Sequence, residues 1–207
     1  MRILIACLLA TACGMGMDNS TGVNDTSDAG SSADAGISPD GGVSDAGTTP
    51  IATQQAWLDP QNAARANPTP KPASPMPALT WSESAAAFAQ GWANRCVYEH
   101  STTVQRGNRG ENIAATAQSG RPASTIGDAV GLWVSEASDY TYATNSCASG
   151  KDCGHYTQIV WASTLRAGCA TTHCTTGSPF QSQGLTEWDF WVCDYEPPGN
   201  FVGQKPY

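Results

Sequence analysis

Cys153-Gly154-His155-Tyr156-Thr157-Gln158-Ile159-Val160-Trp161 and, further on, Glu187-Trp188-Asp189-Phe190-Trp191-Val192-Cys193-Asp194-Tyr195 decide the fold. In the first segment His155, Thr157, Ile159 and Trp161 fall on one face of a strand, and Tyr156, Gln158 and Val160 on the other. Leu165 to Thr172 predicts a second strand and Glu187 to Tyr195 a third. In the third, Trp188, Phe190 and Val192 oppose Trp191, Cys193 and Tyr195, so both faces are apolar. A sheet apolar on both faces must be covered on both. The expected architecture is therefore an α+β, three-layer α-β-α sandwich, and the hairpin-like spacing of the late strands makes the central sheet largely antiparallel. That strand order excludes a doubly wound dinucleotide fold.

The covering helices are written in steps of three and four. Ile126, Val130, Trp133, Ala137 and Tyr140 form one stripe. Glu136 falls about 80° from its centre, either at the rim of a cleft or on a solvated flank. Another helix is expected from Trp81, because Thr80 and Glu83 have capping-box spacing; Ala85, Phe88, Ala89 and Trp92 make its apolar face, which ends at Cys96. Residues 105–112 read as a polar loop, and Ile113 to Ala117 as a short helix interrupted by Arg121-Pro122. Ile51 to Ala66 has helical composition, but Pro60 should end, kink or start a helix, with Asp59 as the N-cap of a segment beyond it. Pro68, Pro70, Pro72, Pro75 and Pro77 predict a stiff extended crossing.

The 207 residues, 40% of them hydrophobic, make one domain the expectation and exclude a multidomain machine. Ten Lys plus Arg against eighteen Asp plus Glu leave no cationic face for phosphates, which argues against nucleic acid as a partner. Residues 1–12 read as a signal peptide: Arg2, an apolar run from Ile3, and the small residues Ala10 and Ala12. Cys13 follows directly in a lipoprotein-like box, so it is either a lipid anchor or, in an ordinary secreted protein, a free thiol. Residues 14–50 lack Phe, Trp, Tyr, Lys and Arg and repeat Asp-Ala-Gly at 28–30, 34–36 and 45–47. They read as a disordered acidic linker, serving as a tether or as a solubilising leader. The domain is then 51–207, with membrane association only through the anchor.

Gly154-His155-Tyr156-Thr157-Gln158-Ile159-Val160-Trp161, followed by Cys193-Asp194-Tyr195-Glu196-Pro197-Pro198-Gly199-Asn200, resembles the CAP superfamily: cysteine-rich secretory proteins, venom antigens and plant pathogenesis-related class one proteins. The plant branch is most similar, through Trp133-Val134-Ser135-Glu136, the stretch from Tyr140 to Cys147, and the ending Gly199 to Tyr207; the similarity covers about residues 53–207. The resemblance implies an α-β-α fold whose cleft carries His100 in Tyr98-Glu99-His100-Ser101, Glu111 in Gly110-Glu111-Asn112, Glu136 and His155. In several members the histidines bind zinc or another divalent ion, and some members bind sterols or other lipids at separate apolar surfaces. No shared enzymatic activity is established for the family. Where the family commonly has His-Asn in its first helix this chain has Gln61-Asn62, and the Gly, Ser and Gln-rich loop between Cys174 and Cys193 is longer than in the plant proteins.

Cys96, Cys147, Cys153, Cys169, Cys174 and Cys193 allow fifteen connectivities by arithmetic. The plant-like pattern implies Cys96–Cys174, Cys147–Cys153 and Cys169–Cys193. Two histidines and one carboxylate would leave a zinc ion a fourth position for water; the alternative is a hydrogen-bonded His–Glu network that holds no ion. There is no H-E-x-x-H and no G-x-S-x-G. The expectation is thus a secreted or surface-tethered monomeric binding module for a lipid, sterol, surface protein or glycan. Two alternatives are a hydrolase using His100, Glu111, Glu136 and His155 with a metal or with Ser101 or Ser135, and a structural envelope protein. Tyr142, Phe180 and Phe201 are the candidate exposed aromatics.

Overall fold

The computed structural model describes residues 4–6, 51–117 and 124–207. Apart from Leu4–Ala6, the expected signal peptide, Cys13 and the acidic tract lie outside the described residues, as does Arg121-Pro122. In chain order the elements are β1 (Leu4–Ala6), α1 (Ile51–Ala66), β2 (Thr80–Trp81), α2 (Glu83–Ala93), β3 (Gly110–Ala117), α3 (Ile126–Ser135) running into a 3-10 turn (Glu136–Ser138), β4 (Tyr140–Thr141), β5 (Ser146–Cys147), α4 (Gly154–Ile159), β6 (Arg166–Cys174) and β7 (Trp188–Glu196). The main sheet runs β1-β3-β7-β6-β2 and is antiparallel except where β2 lies beside β6; β4 and β5 form a separate hairpin.

The alternation along β7 sorts the layers. Trp188, Phe190 and Val192 pack with Ala89, Trp92 and Ala93 of α2. Trp191, Cys193 and Tyr195 pack with Trp57 of α1, Val130 and Trp133 of α3, and Tyr156 and Ile159 of α4. The result is the expected α-β-α sandwich. Gly168 on β6 lets α2 lie directly on the sheet, since a Cβ there would collide with the backbone at Ala86 and Ser82. Disulfides join Cys96 to Cys174, Cys147 to Cys153 and Cys169 to Cys193. The first spans 78 residues and removes about 4 kcal/mol of chain entropy from the unfolded state in the loop-closure account.

Several local expectations are corrected. Residues 154–159 form α4, not a strand: His155 through Ile159 are all buried, so no polar face records the helical period. Ile113–Ala117 belongs to β3, not a helix, because burial between the two helical layers overrides the helix propensity of its alanines. Pro60 lies within α1, which continues to Ala66. That path is held by Trp57, Gln61 and Arg65, buried one turn apart. The Arg65 guanidinium donates to the carbonyls of Pro77, Ile159, Trp161 and Thr164; burial lowers its pKa to about 10, and Tyr195 opposes the shift. Thr80 and Trp81 are strand, and Ser82 caps α2 by accepting from the amide of Ala85. The helix expected to reach Tyr140 ends at Ser135 and tightens into the 3-10 turn. Phe180, within the long loop, turns into the core at 1% exposure, whereas Phe201 is exposed.

Candidate metal cleft

Two histidine–carboxylate pairs contact the Gly110 end of β3, one through Glu111 and the other through Asn112. These consecutive residues face opposite sides of the sheet. On the α2 side the fully buried Glu111 side chain takes three bonds: its Oε1 contacts Nδ1 of His100 at 2.8 Å and accepts from the Ser101 amide at 2.9 Å, and its Oε2 accepts from the Ser101 hydroxyl at 2.7 Å. His100 sits on the loop between α2 and β3, just beyond the crosslinked Cys96, with its ring part-exposed. On the other side, Asn112 donates to the carbonyl of His155 at 3.1 Å and to the Tyr195 hydroxyl at 3.1 Å.

His155 is the second residue of α4, whose first amides need acceptors. Glu136 reaches them from the end of α3: its Oε2 accepts from the amides of His155 at 3.0 Å and Tyr156 at 3.1 Å, while its Oε1 bonds Nδ1 of His155 at 2.5 Å. Asp152 completes the cap, its Oδ1 accepting from the Gly154 amide at 2.8 Å. Trp133 stacks on the His155 ring at 6.1 Å between centroids. Glu136 is therefore a buried helix cap and imidazole partner rather than a solvated flank residue. Both imidazoles are engaged at Nδ1 by a carboxylate, the arrangement that orients metal-ligating histidines to bind through Nε2.

One ligand atom each from Glu136, Asp152 and His155 lie within 4.8 Å of one another; among the described residues this is the three-residue group compact enough to hold an ion, and His100 and Glu111 stand outside it as a second pair. Asp152 was not foreseen. Its signal is an acidic side chain two residues ahead of a helix-starting glycine, a turn-and-cap pattern. Asp194 was also missed. It lies directly opposite Glu111 in the β3–β7 register, is 0% exposed, and neither carboxylate oxygen has a hydrogen-bond partner. Burial pushes its carboxyl up to about 8, the neighbouring Glu111 charge adds to the rise, and Arg109 and Arg106 oppose it. Arg109 is bound to Glu196 at 2.5 Å, and Arg106 is turned to the carbonyls of Ser101 and Arg109. Neither candidate serine hydroxyl donates to a histidine: Ser101 donates a hydrogen bond to Glu111, and Ser135 to the Leu132 carbonyl.

The chain matches the family model for CAP, the cysteine-rich secretory protein family, over residues 58–195. It is 37% identical to pathogenesis-related protein 1B of Nicotiana tabacum, over 75% of this chain and 81% of that one. It is 41% identical to peptidase inhibitor 16 of Mus musculus over 74% of this chain, but spans only 29% of the mouse protein's length. Among solved structures it resembles NaASP2 with Zn2+ at 26% identity and a TM-score of 0.57, covering 74% of this chain and 84% of that one. It also resembles venom allergen-like protein 4 of Schistosoma mansoni, at 26% identity and a TM-score of 0.52, over 74% and 86% of the two chains. A sandwich of this topology, a family match across most of its elements and plant relatives aligned over most of their own length lead to one conclusion: the chain belongs to the CAP family of cysteine-rich secretory proteins.

Proposed function

We propose that this protein is an extracytoplasmic binding module whose cleft takes up a divalent transition-metal ion of the zinc class through the Nε2 atoms of His100 and His155. The observation that carries the reading is the carboxylate engaged at Nδ1 of each ring. Asp152 is the oxygen donor beside His155, and Glu111 and Glu136 orient the imidazoles. An imidazole and carboxylate donor set suits such an ion, and the relative solved with Zn2+ supports the assignment. A bound ion would polarise a coordinated group or lower the pKa of a coordinated water. The chain's own residues fix the ring tautomers and hold α4 in place.

Export by residues 1–12 and attachment through Cys13 would present the domain outside the cell on the acidic tether. The relatives' membership of a secretory family favours that setting. The module's partner is a sterol or other lipid, met through the exposed neighbours Phe201 and Val202. Calorimetric titration of chelator-stripped protein with Zn2+ tests the metal reading. One saturable site should appear, weakened in Asp152→Asn and lost in the double variant His100→Ala/His155→Ala. An unchanged isotherm in the double variant would remove the assignment.

A further inference from the structure

The edge of β3 carries none of the features that normally keep sheet edges from pairing. From Ile113 to Ala117 it has no charge, no proline and no break in register against β7. In the structure that edge is taken by β1, antiparallel, with Leu4 opposite Ala117, Ile5 opposite Thr116 and Ala6 opposite Ala115. A short apolar segment from the N-terminal end of the chain thus seats on the edge by strand pairing.

Next to the edge lies a cavity of ≈ 270 Å³ walled by Thr116 and by Gly127, Asp128, Gly131, Leu132 and Ser135 of α3. Gly127 and Gly131 stand one turn apart, and nothing lies within 4 Å of the point where a Gly131 Cβ would be. Residues opposite one another in an antiparallel pair share a face. A chain added to β3 in the register of β1 would place its residue opposite Thr116 on the α3 side, where this cavity opens. Edge and groove supply the two parts of strand-addition recognition, backbone pairing for affinity and a pocket for alternate side chains.

We infer that the β3 edge and the α3 groove form a strand-addition site for an extended, uncharged apolar segment of a partner polypeptide, bound antiparallel to β3. The inference rests on the export reading above, in which residues 1–12 are removed and the edge is opened. The site lies at the far end of β3 from Glu111, so its occupancy and that of the metal cleft are separately measurable.

The test uses the chain beginning at Cys13 and, as probe, a fluorescein-labelled peptide of residues 3–6. Anisotropy should rise saturably, amide exchange should slow at residues 113–117, and a peptide with L4D and I5D should not bind. Gly131→Leu fills open space on the helix, so it should keep or raise the unfolding midpoint while weakening the peptide about tenfold or more. Absence of saturable binding, or protection appearing away from β3, would overturn the site; so would a folded Gly131→Leu variant that binds unchanged. Intact mass of the exported protein reports separately whether residues 1–12 are removed. Their retention would sink the export reading without touching the outcome of the titration.

Discussion

Replacing Asp194 by Asn should stabilise the protein at neutral pH, and by an amount that depends on pH. Asp194 is 0% exposed, makes no hydrogen bond through either carboxylate oxygen and faces Glu111 across the β3–β7 pair. Its ordinary value of 3.8 rises to about 8 in the fold. The folded chain therefore holds a proton that the unfolded chain has released throughout that interval. The stability associated with this proton is fully present below pH 3.8, declines as pH rises, and stops declining once the folded carboxyl has also ionised, above about 8. At about 1.4 kcal/mol per pH unit, the loss is about 4 kcal/mol at pH 7 and levels off near roughly 6 kcal/mol above pH 8. Asn has the same shape and no proton to release. Urea unfolding of both proteins between pH 4 and 9, followed by tryptophan fluorescence with the disulfides intact, reads the difference directly. The Asn variant should match the parent near pH 4 and pull ahead as pH rises. A variant no more stable at pH 7, or a difference that does not change with pH, would refute the buried neutral carboxyl.

Gly168→Ala should cost about 3 kcal/mol or more in urea unfolding, because the added methyl meets the backbone of α2 at Ser82 and Ala86 rather than a side chain able to turn away; a neutral effect would contradict the direct seating of α2 on β6. Arg65→Met keeps the side-chain volume but leaves the carbonyls of Pro77, Ile159, Trp161 and Thr164 without their donor. A loss of about 4 kcal/mol is expected by the same assay, and a loss under about 1 kcal/mol would show that water replaces the guanidinium. Glu136→Gln should weaken Zn2+ binding about 10- to 100-fold in calorimetry with the fold retained in far-UV circular dichroism. Unchanged affinity would mean that Glu136 serves only as the cap of α4.

The strands that could be read in advance are those whose two faces are both apolar and both covered. β7 is the clearest, its rows divided between the two helical layers as the alternation of Trp188, Phe190 and Val192 with Trp191, Cys193 and Tyr195 predicts. α4 could not be read this way, because a short helix buried on every side has no polar stripe, and a run such as Tyr156-Thr157-Gln158-Ile159 also alternates. The alanines of β3 carry helix propensity that counts for little once both faces are buried. His100, Glu111, Glu136 and His155 were recognisable through short motifs, not spacing, since they come from a loop, a strand and the ends of two helices. Asp152 and Asp194 had no comparable mark. One acts through a helix cap, and the other occupies a place in the apolar row of β7 where periodicity predicts a hydrophobic side chain.

The proposed ion is held jointly by the imidazoles of His100 and His155. Zinc K-edge X-ray absorption on chelator-stripped protein reloaded with one equivalent of Zn2+ tests this most directly. A nitrogen and oxygen shell at about 2.0–2.1 Å is expected, with outer-shell scattering from two imidazole rings, reduced to one ring in His100→Ala. A sulfur shell at about 2.3 Å, or an oxygen-only shell without imidazole scattering, would contradict it.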